Sequence, residues 1–397
     1  MAAAWIGADE AARRLGVKPA TLYSYVSRGV LIRRKTDDGR SVFDPRDVDR
    51  VAQHGRPRRS PGGTELVIES SVTMLGDDRH YYRGRDAIAL ADRWSLEQVA
   101  VFLWTGQEPE PEDAEPWASA PDAVMAAQSA QRSLSGDVLP LERLHLIVSA
   151  LAVADRVRLN LEPAAVVLVG QGLISGMVDA LPPYGAEGNV HERLWQKLGG
   201  YGADPRLADV LRFAMVLLAD HELAASTLAV RVGASVRADP YAVVSAGLGV
   251  VSGALHGGAS LGVEAMLSEI DRASRAPALI GERLRRGERI PGFGHAVYRS
   301  GDARGDALLE RVRRAVPEHP RLAVAEAILD EARRRRLPAV NVDFALGLLT
   351  HLAGMPRGAG EAVFAVARTV GWLAHAMEEY ARPTRLRLRA AYTGPLE

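Results

Sequence analysis

Apolar residues recur along most of this chain at intervals of three and four, the spacing of one face of an α-helix. The segment "LADVLRFAMVLLADHE" sets Val210, Phe213, Ala214, Leu217 and Leu218 on one stripe. "SLEQVAVFLWTG" opens with Ser95 and Gln98 in capping-box positions, runs Val99, Phe102 and Leu103 at helical spacing, and stops at Gly106. "EAVFAVARTVGWLAHAMEEY" has similar apolar density. Strand-like alternation is confined to "LVIESSV" and to the small N-terminal region. The pattern predicts an all-α body from Thr64 onward, interrupted by the acidic, proline-rich loop "TGQEPEPEDAEP". "AAVVLVGQGLISGMV" is broken by Gln171 and glycines, so it reads as a buried helix and not as a membrane span. The first residues lack the basic start and apolar core of a signal peptide.

The N-terminal region is patterned differently. "ADEAARRLG" and "KPATLYSYVSRG" predict two short helices across a glycine turn, the second with Pro19 in its first turn and Gly29 at its end. Leu22 and Val26 face one way on the second helix. Lys18, Thr21, Tyr25 and Arg28 fall on the other side, where their donors suit phosphates and base edges. "IRRKTDDGRSVF" predicts a hairpin turning at Asp38-Gly39, and "DPRDVDRV" a short helix. "HGRPRRSPGG" reads as a linker. The expected organisation is a winged helix-turn-helix at 1–56, a linker at 57–63 and the helical body at 64–397. The first fifty or so residues resemble the MerR and excisionase-like group. That resemblance implies DNA binding; the same fold also serves as a protein-docking module.

Charge sharpens the division. The net charge is zero, yet residues 1–60 hold 13 Lys and Arg against 7 Asp and Glu, and the remainder 36 against 42. A basic head on an acidic body points to an anionic partner for the head, or to two domains with different solvated faces. The absence of cysteine excludes a disulfide framework, a thiolate metal site and a cysteine nucleophile. It fits a cytoplasmic location.

The body carries four polar signatures beside apolar helices: "ADHELAAST" with His221, "GALHGGAS" with His256, "PGFGHAVYRSGDAR" with His295, Arg299 and Arg304, and "VNVDFALG" with Asp343. Arg368 and Arg382 follow in "VARTVGWLAH" and "YARPTRL". No histidine pair has the close helical spacing of a metal site, and no HExxH or P-loop occurs. Glycines beside His256 and His295 permit close approach of a bound molecule. Arginines imply carboxylate or phosphate groups. Together these suit carbon-acid chemistry on a polyanionic substrate: a carboxylate takes a proton α to a carbonyl while a neutral histidine donates to the developing enolate.

From about residue 64 to 396 these segments resemble citrate synthase, in order and in spacing. The resemblance implies an all-α large domain, a small lid subdomain at roughly 260–350, and a homodimer. It implies His256, His295 and Asp343 as catalytic residues, with His221, Arg304, Arg368 and Arg382 binding oxaloacetate. Arg382 would reach into the partner subunit's site, and Arg299 would meet the coenzyme A phosphates. It implies no cofactor, with acetyl-CoA as a substrate, and no membrane partner. Ser260 stands where the family usually has Asn, and Ala303 where Pro commonly precedes the arginine. Alternatives are a 2-methylcitrate synthase using propionyl-CoA, and a metabolite-sensing DNA-binding regulator.

Overall fold

The computed structural model describes residues 5–15, 17, 22, 25–26, 31–36, 39–48, 67–253, 256–295, 297–298 and 301–387. Two compact units are present, Met1–Glu69 and Ser70–Glu397.

In the first unit the helix Ala8–Leu15 presents Ala11, Ala12 and Leu15 to a small core shared with Leu22, Leu31, Phe43 and Val48. Strands Ile6–Gly7, Arg33–Lys35 and Ser41–Phe43 form an antiparallel sheet with Ser41–Phe43 in the centre. The expected hairpin is there, and Gly39 takes φ 81°, a conformation that glycine adopts without strain. Residues 45–48 are helical. Lys18, Thr21 and Arg28 lie outside the described residues. Tyr25 is half-buried, and it packs against this core beside Val26.

The second unit is built around the helix Ala359–Ala381, which is apolar nearly all round and therefore belongs inside. Leu96–Thr105, Pro140–Ala154, Pro163–Asp179, Arg206–Leu218, Ala225–Ser235 and Pro240–Val251 pack on it. The Trp372 ring is fully buried against Gly247, where a Cβ would lie 2.8 Å from it. The helix Leu96–Thr105 has the capping box read from its sequence, Gln98 N donating to Ser95 Oγ at 3.3 Å and Ser95 N to Gln98 Oε1 at 3.1 Å. Its C-cap is Gly106 at φ 74°.

One strand expectation shifts. Residues 67–70 are irregular and Val67 is 77% exposed, while Val72 at the end of "LVIESSV" is fully buried. The strand is Thr73–Leu75, paired with His80–Tyr82, which pairs with Arg85–Asp86. Further helices of the unit include Ala259–Glu269, Ala276–Arg285, Ala303–Ala315, Leu322–Arg334 and Val342–Leu352. Gly305 lets Ala303–Ala315 approach the Asn341 backbone, where a Cβ would come within 2.7 Å. Among the described residues no helix is long and apolar enough to cross a membrane.

Candidate active site

A cleft of about 1090 Å³ opens in the second unit and is lined by His221, His256, His295, Arg304, Asp343 and Arg368. Six residues scattered over nearly 150 positions thus share one cavity. Arg382 does not line it; it follows the C-terminal end of Ala359–Ala381, with Nη1 3.4 Å from Glu379 Oε1. Arg299 lies outside the described residues.

Asp343 sits in the first turn of Val342–Leu352. Asn341 caps that helix, its Oδ1 accepting from Asp343 N at 3.1 Å and Phe344 N at 3.3 Å. The Asn341 amide also donates to Gly294 O at 2.8 Å, tying the aspartate's helix to the His295 loop. Burial pushes the Asp343 carboxyl up to about 6, against the opposing pull of Arg304 and Arg368. A carboxylate held near that value is suited to take a proton and to give it back.

His295 has a defined proton. Its Nδ1 accepts from Val297 N at 3.1 Å and Tyr298 N at 3.2 Å, so the neutral ring carries hydrogen on Nε2. Arg304 Nη2 stands 3.3 Å from that same Nε2. With the proton on Nε2 both groups are donors, and a carbonyl or carboxylate oxygen placed between them would accept from each. Burial and the Arg304 charge hold His295 down at about 4, so it is neutral at pH 7. His221 is held well below its usual value, by burial first and Arg304 second. Its Nε2 lies 2.9 Å from Tyr298 Oη.

Arg304 is 3% exposed and pairs with Asp302 through Nε and Nη2, both at 2.9 Å. Asp302 caps Ala303–Ala315 and also accepts from Val342 N at 3.1 Å, so one carboxylate fixes both Arg304 and the helix bearing Asp343. Ala303 N donates to Asp78 O at 2.9 Å, a bond that proline lacks the hydrogen to make. The alanine therefore gains a tether to the strand hairpin where proline would supply stiffness.

Arg368 is 2% exposed. Its Nε donates to Leu218 O at 2.8 Å, and its guanidinium lies 4.5 Å from the Phe364 ring centre. Among the described residues it has no carboxylate partner. His256 faces Phe364 edge-on at 6.0 Å and joins Ser226 Oγ through Nε2 at 2.8 Å. Ser226 Oγ also accepts from Trp372 Nε1 at 3.3 Å.

Sequence reasoning missed Asp302, Tyr298, Ser226, Asn341 and His80. The capping pattern of Asn341 before "VDF" and of Asp302 before "ARG" was a usable signal. His80 gave none: it sits on a strand, fully buried, 5.7 Å from the His221 ring, with neither ring nitrogen hydrogen-bonded among the described residues.

Residues 8–53 match the family described as MerR HTH family regulatory protein. Residues 63–389 match the family described as Citrate synthase, C-terminal domain. Citrate synthase 2 of Bacillus subtilis is 32% identical over 359 residues, 84% of this chain and 95% of that protein. 2-Methylcitrate synthase 2 of Corynebacterium glutamicum is 27% identical over 338 residues, 79% of this chain and 88% of that protein. Among solved structures, the citrate synthase of the thermophilic archaeon Thermoplasma acidophilum, a ternary complex with carboxymethyl coenzyme A and oxaloacetate, superposes with a TM-score of 0.69 at 22% identity. It covers 84% of this chain and 95% of that one, and shows the same fold. A helical body with this cleft and a family match across most of its length make the chain a member of the citrate synthase family, acyltransferases in reaction type.

Proposed function

We propose that this chain condenses acetyl-CoA with oxaloacetate and hydrolyses the citryl thioester to citrate and CoA. The observation that carries the reading is the pairing, in one cleft, of a carboxyl raised to about 6 with a buried Arg368 that has no carboxylate partner among the described residues. A buried guanidinium is costly unless an anion compensates it, and a dicarboxylate substrate supplies that anion.

In this reading Arg368 and Arg304 hold the two carboxylates of oxaloacetate, and His221 helps to seat it. The His295–Arg304 donor pair polarises the keto oxygen. Asp343 takes a proton from the methyl carbon of the acetyl thioester. Ser226 donates to His256 Nε2, leaving the His256 proton on Nδ1 for the enolate oxygen that forms. The enol carbon then attacks the keto carbon, its oxygen taking up a proton, and water cleaves the thioester to release the thiol. Arg299 is assigned to the coenzyme A phosphates. No cofactor enters these steps. Residues roughly 260–350 are assigned as the lid that excludes bulk water.

A dimer is part of the reading. Val153, Leu159 and Leu168 are 81%, 73% and 68% exposed, large apolar side chains of the kind that a second copy would cover. Arg382, outside its own cleft, is assigned to the partner's.

The acyl preference is tested by incubating oxaloacetate with equal acetyl-CoA and propionyl-CoA and weighing the products. Citrate in excess supports the assignment. 2-Methylcitrate in excess reassigns the chain to the propionyl thioester, a difference of one methylene worth roughly 1–3 kcal/mol in an apolar pocket.

The 8–53 match and the exposed Arg33, Arg34 and Lys35 of the hairpin favour a second role in which the N-terminal unit binds DNA. Its test is retention on duplex DNA at rising salt: steep loss with salt supports it. No retention at low salt leaves this unit as a protein-docking module.

A further inference from the structure

The histidine that seats the substrate in the reading above is carried on a short turn, and that turn is held from behind by a buried polar chain. One stripe of the helix Ala359–Ala381 and its C-cap bears Arg368, Gly371, His375, Glu379 and Arg382 at helical spacing. Arg368 faces the cleft; the others run away from it over roughly 21 Å, at the rise of an α-helix.

At Gly371 the stripe meets the residues just before His221. Gly371 N donates to Ala219 O at 2.9 Å. A Cβ on Gly371 would fall 2.2 Å from Asp220 Oδ1, so the Asp220 carboxylate rests directly on the helix backbone. Asp220 Oδ2 accepts from Glu222 N at 3.1 Å, closing a turn across His221 in which Glu222 has φ 54°. This left-handed conformation is unusual for a residue with a side chain and needs an external hold.

His375 supplies that hold. Arg231, fully buried on Ala225–Ser235, is a donor only, and its Nη1 lies 2.8 Å from His375 Nδ1. The His375 ring must accept there and therefore carries its proton on Nε2, which lies 3.3 Å from Asp220 Oδ2. Arg231 is fixed in turn by Glu379 Oε1 at 2.8 Å and Glu378 Oε2 at 2.7 Å.

We propose that His375 is a positioning residue for the reaction: oriented by Arg231, it donates Nε2–H to Asp220 and so fixes the 220–222 turn that presents His221 to the dicarboxylate. The proposal rests on the functional reading above. Through Glu379 the same polar chain reaches the partly exposed Arg382 at the end of the helix.

Two conservative variants separate positioning from packing in the full-length protein. His375→Gln places its amide nitrogen where Nε2 stood and keeps the bond to Asp220. His375→Asn retains a group facing Arg231 but does not reach Asp220. Both remove the ring, and both are expected to lower Tm alike. His375→Asn is expected to raise the KM for oxaloacetate by roughly tenfold or more, with the KM for acetyl-CoA unchanged, the scale of one lost charge-assisted hydrogen bond. His375→Gln is expected to stay within about twofold of wild type. Equal Tm losses with both KM values unchanged would overturn the proposal. Should His375→Asn not fold, Asp220→Asn weakens the same bond with its shape kept, and an unchanged oxaloacetate KM there has the same force. A folded wild type with no oxaloacetate-dependent turnover would instead remove the functional reading itself.

Discussion

Two buried guanidiniums face the same cleft and are built in opposite ways. Arg304 is gripped by Asp302 through two bonds of 2.9 Å, and Asp302 holds the neighbouring helix as well. Arg368, equally buried, has one backbone carbonyl and the face of Phe364. The first charge is compensated by the protein and helps to hold the site together. The second feels Asp220 and Asp343 only at a distance and has no carboxylate in direct contact among the described residues, so a ligand's negative group can pair with it. Arg304 is thus anchored by the protein before it meets a ligand, and Arg368 is not.

The largest test of this division lies between the two arginines. Both pull the Asp343 carboxyl downward while burial raises it. If they bind and orient while Asp343 alone moves the proton, Asp343→Ala lowers kcat by roughly a thousandfold. Oxaloacetate binding by calorimetry should survive. Loss of binding together with turnover would merge the roles that the comparison separates.

The same substitution at the two arginines should then have unequal effects on the fold. Arg304→Met strands buried Asp302 and is expected to cost about 3–5 kcal/mol in urea unfolding. Arg368→Met breaks no direct ion pair and strands no contacting carboxylate, so its cost in stability should be much smaller. Its oxaloacetate KM should rise about a hundredfold, as for loss of a buried charge contact. Equal destabilisation by both would break the comparison.

A smaller effect is read from pH. Asp343 must be ionised to act as base, and its carboxyl is raised to about 6. Turnover should therefore fall as pH drops through about 6. His295, held at about 4, stays neutral across that window, so the limb belongs to the aspartate. An acid limb in the pH profile of kcat near 4 would contradict this assignment. Smallest is a control far from either arginine. Ser95→Ala removes the cap of Leu96–Thr105 and should cost about 1 kcal/mol with kinetics untouched.

What the sequence disclosed follows the same line. Helices with strong local signals, such as Ser95 to Gly106 and the apolar run around Trp372, were legible because the signals lie within one or two turns. The cleft's six side chains were legible through their motifs, not through any pattern that placed them together. Asp302, which governs Arg304 and the Asp343 helix at once, and the Arg231–His375–Asp220 chain depend on contacts across as many as 155 positions. Periodicity carries no trace of such pairs. Tyr25, read on an outer face, also lays its ring against a small core, a contact its local pattern does not disclose. The strand expected near "LVIESSV" begins just after it, at Thr73, because alternation alone does not fix where a partner pairs.

The most direct measurement is thiol release from acetyl-CoA, with and without oxaloacetate, by the wild-type protein and by Asp343→Ala. The account predicts release that depends on oxaloacetate in the wild type and falls about a thousandfold in the variant, with oxaloacetate still bound. Release by the variant at a near-normal rate, or none from a folded wild type that binds oxaloacetate, would contradict it.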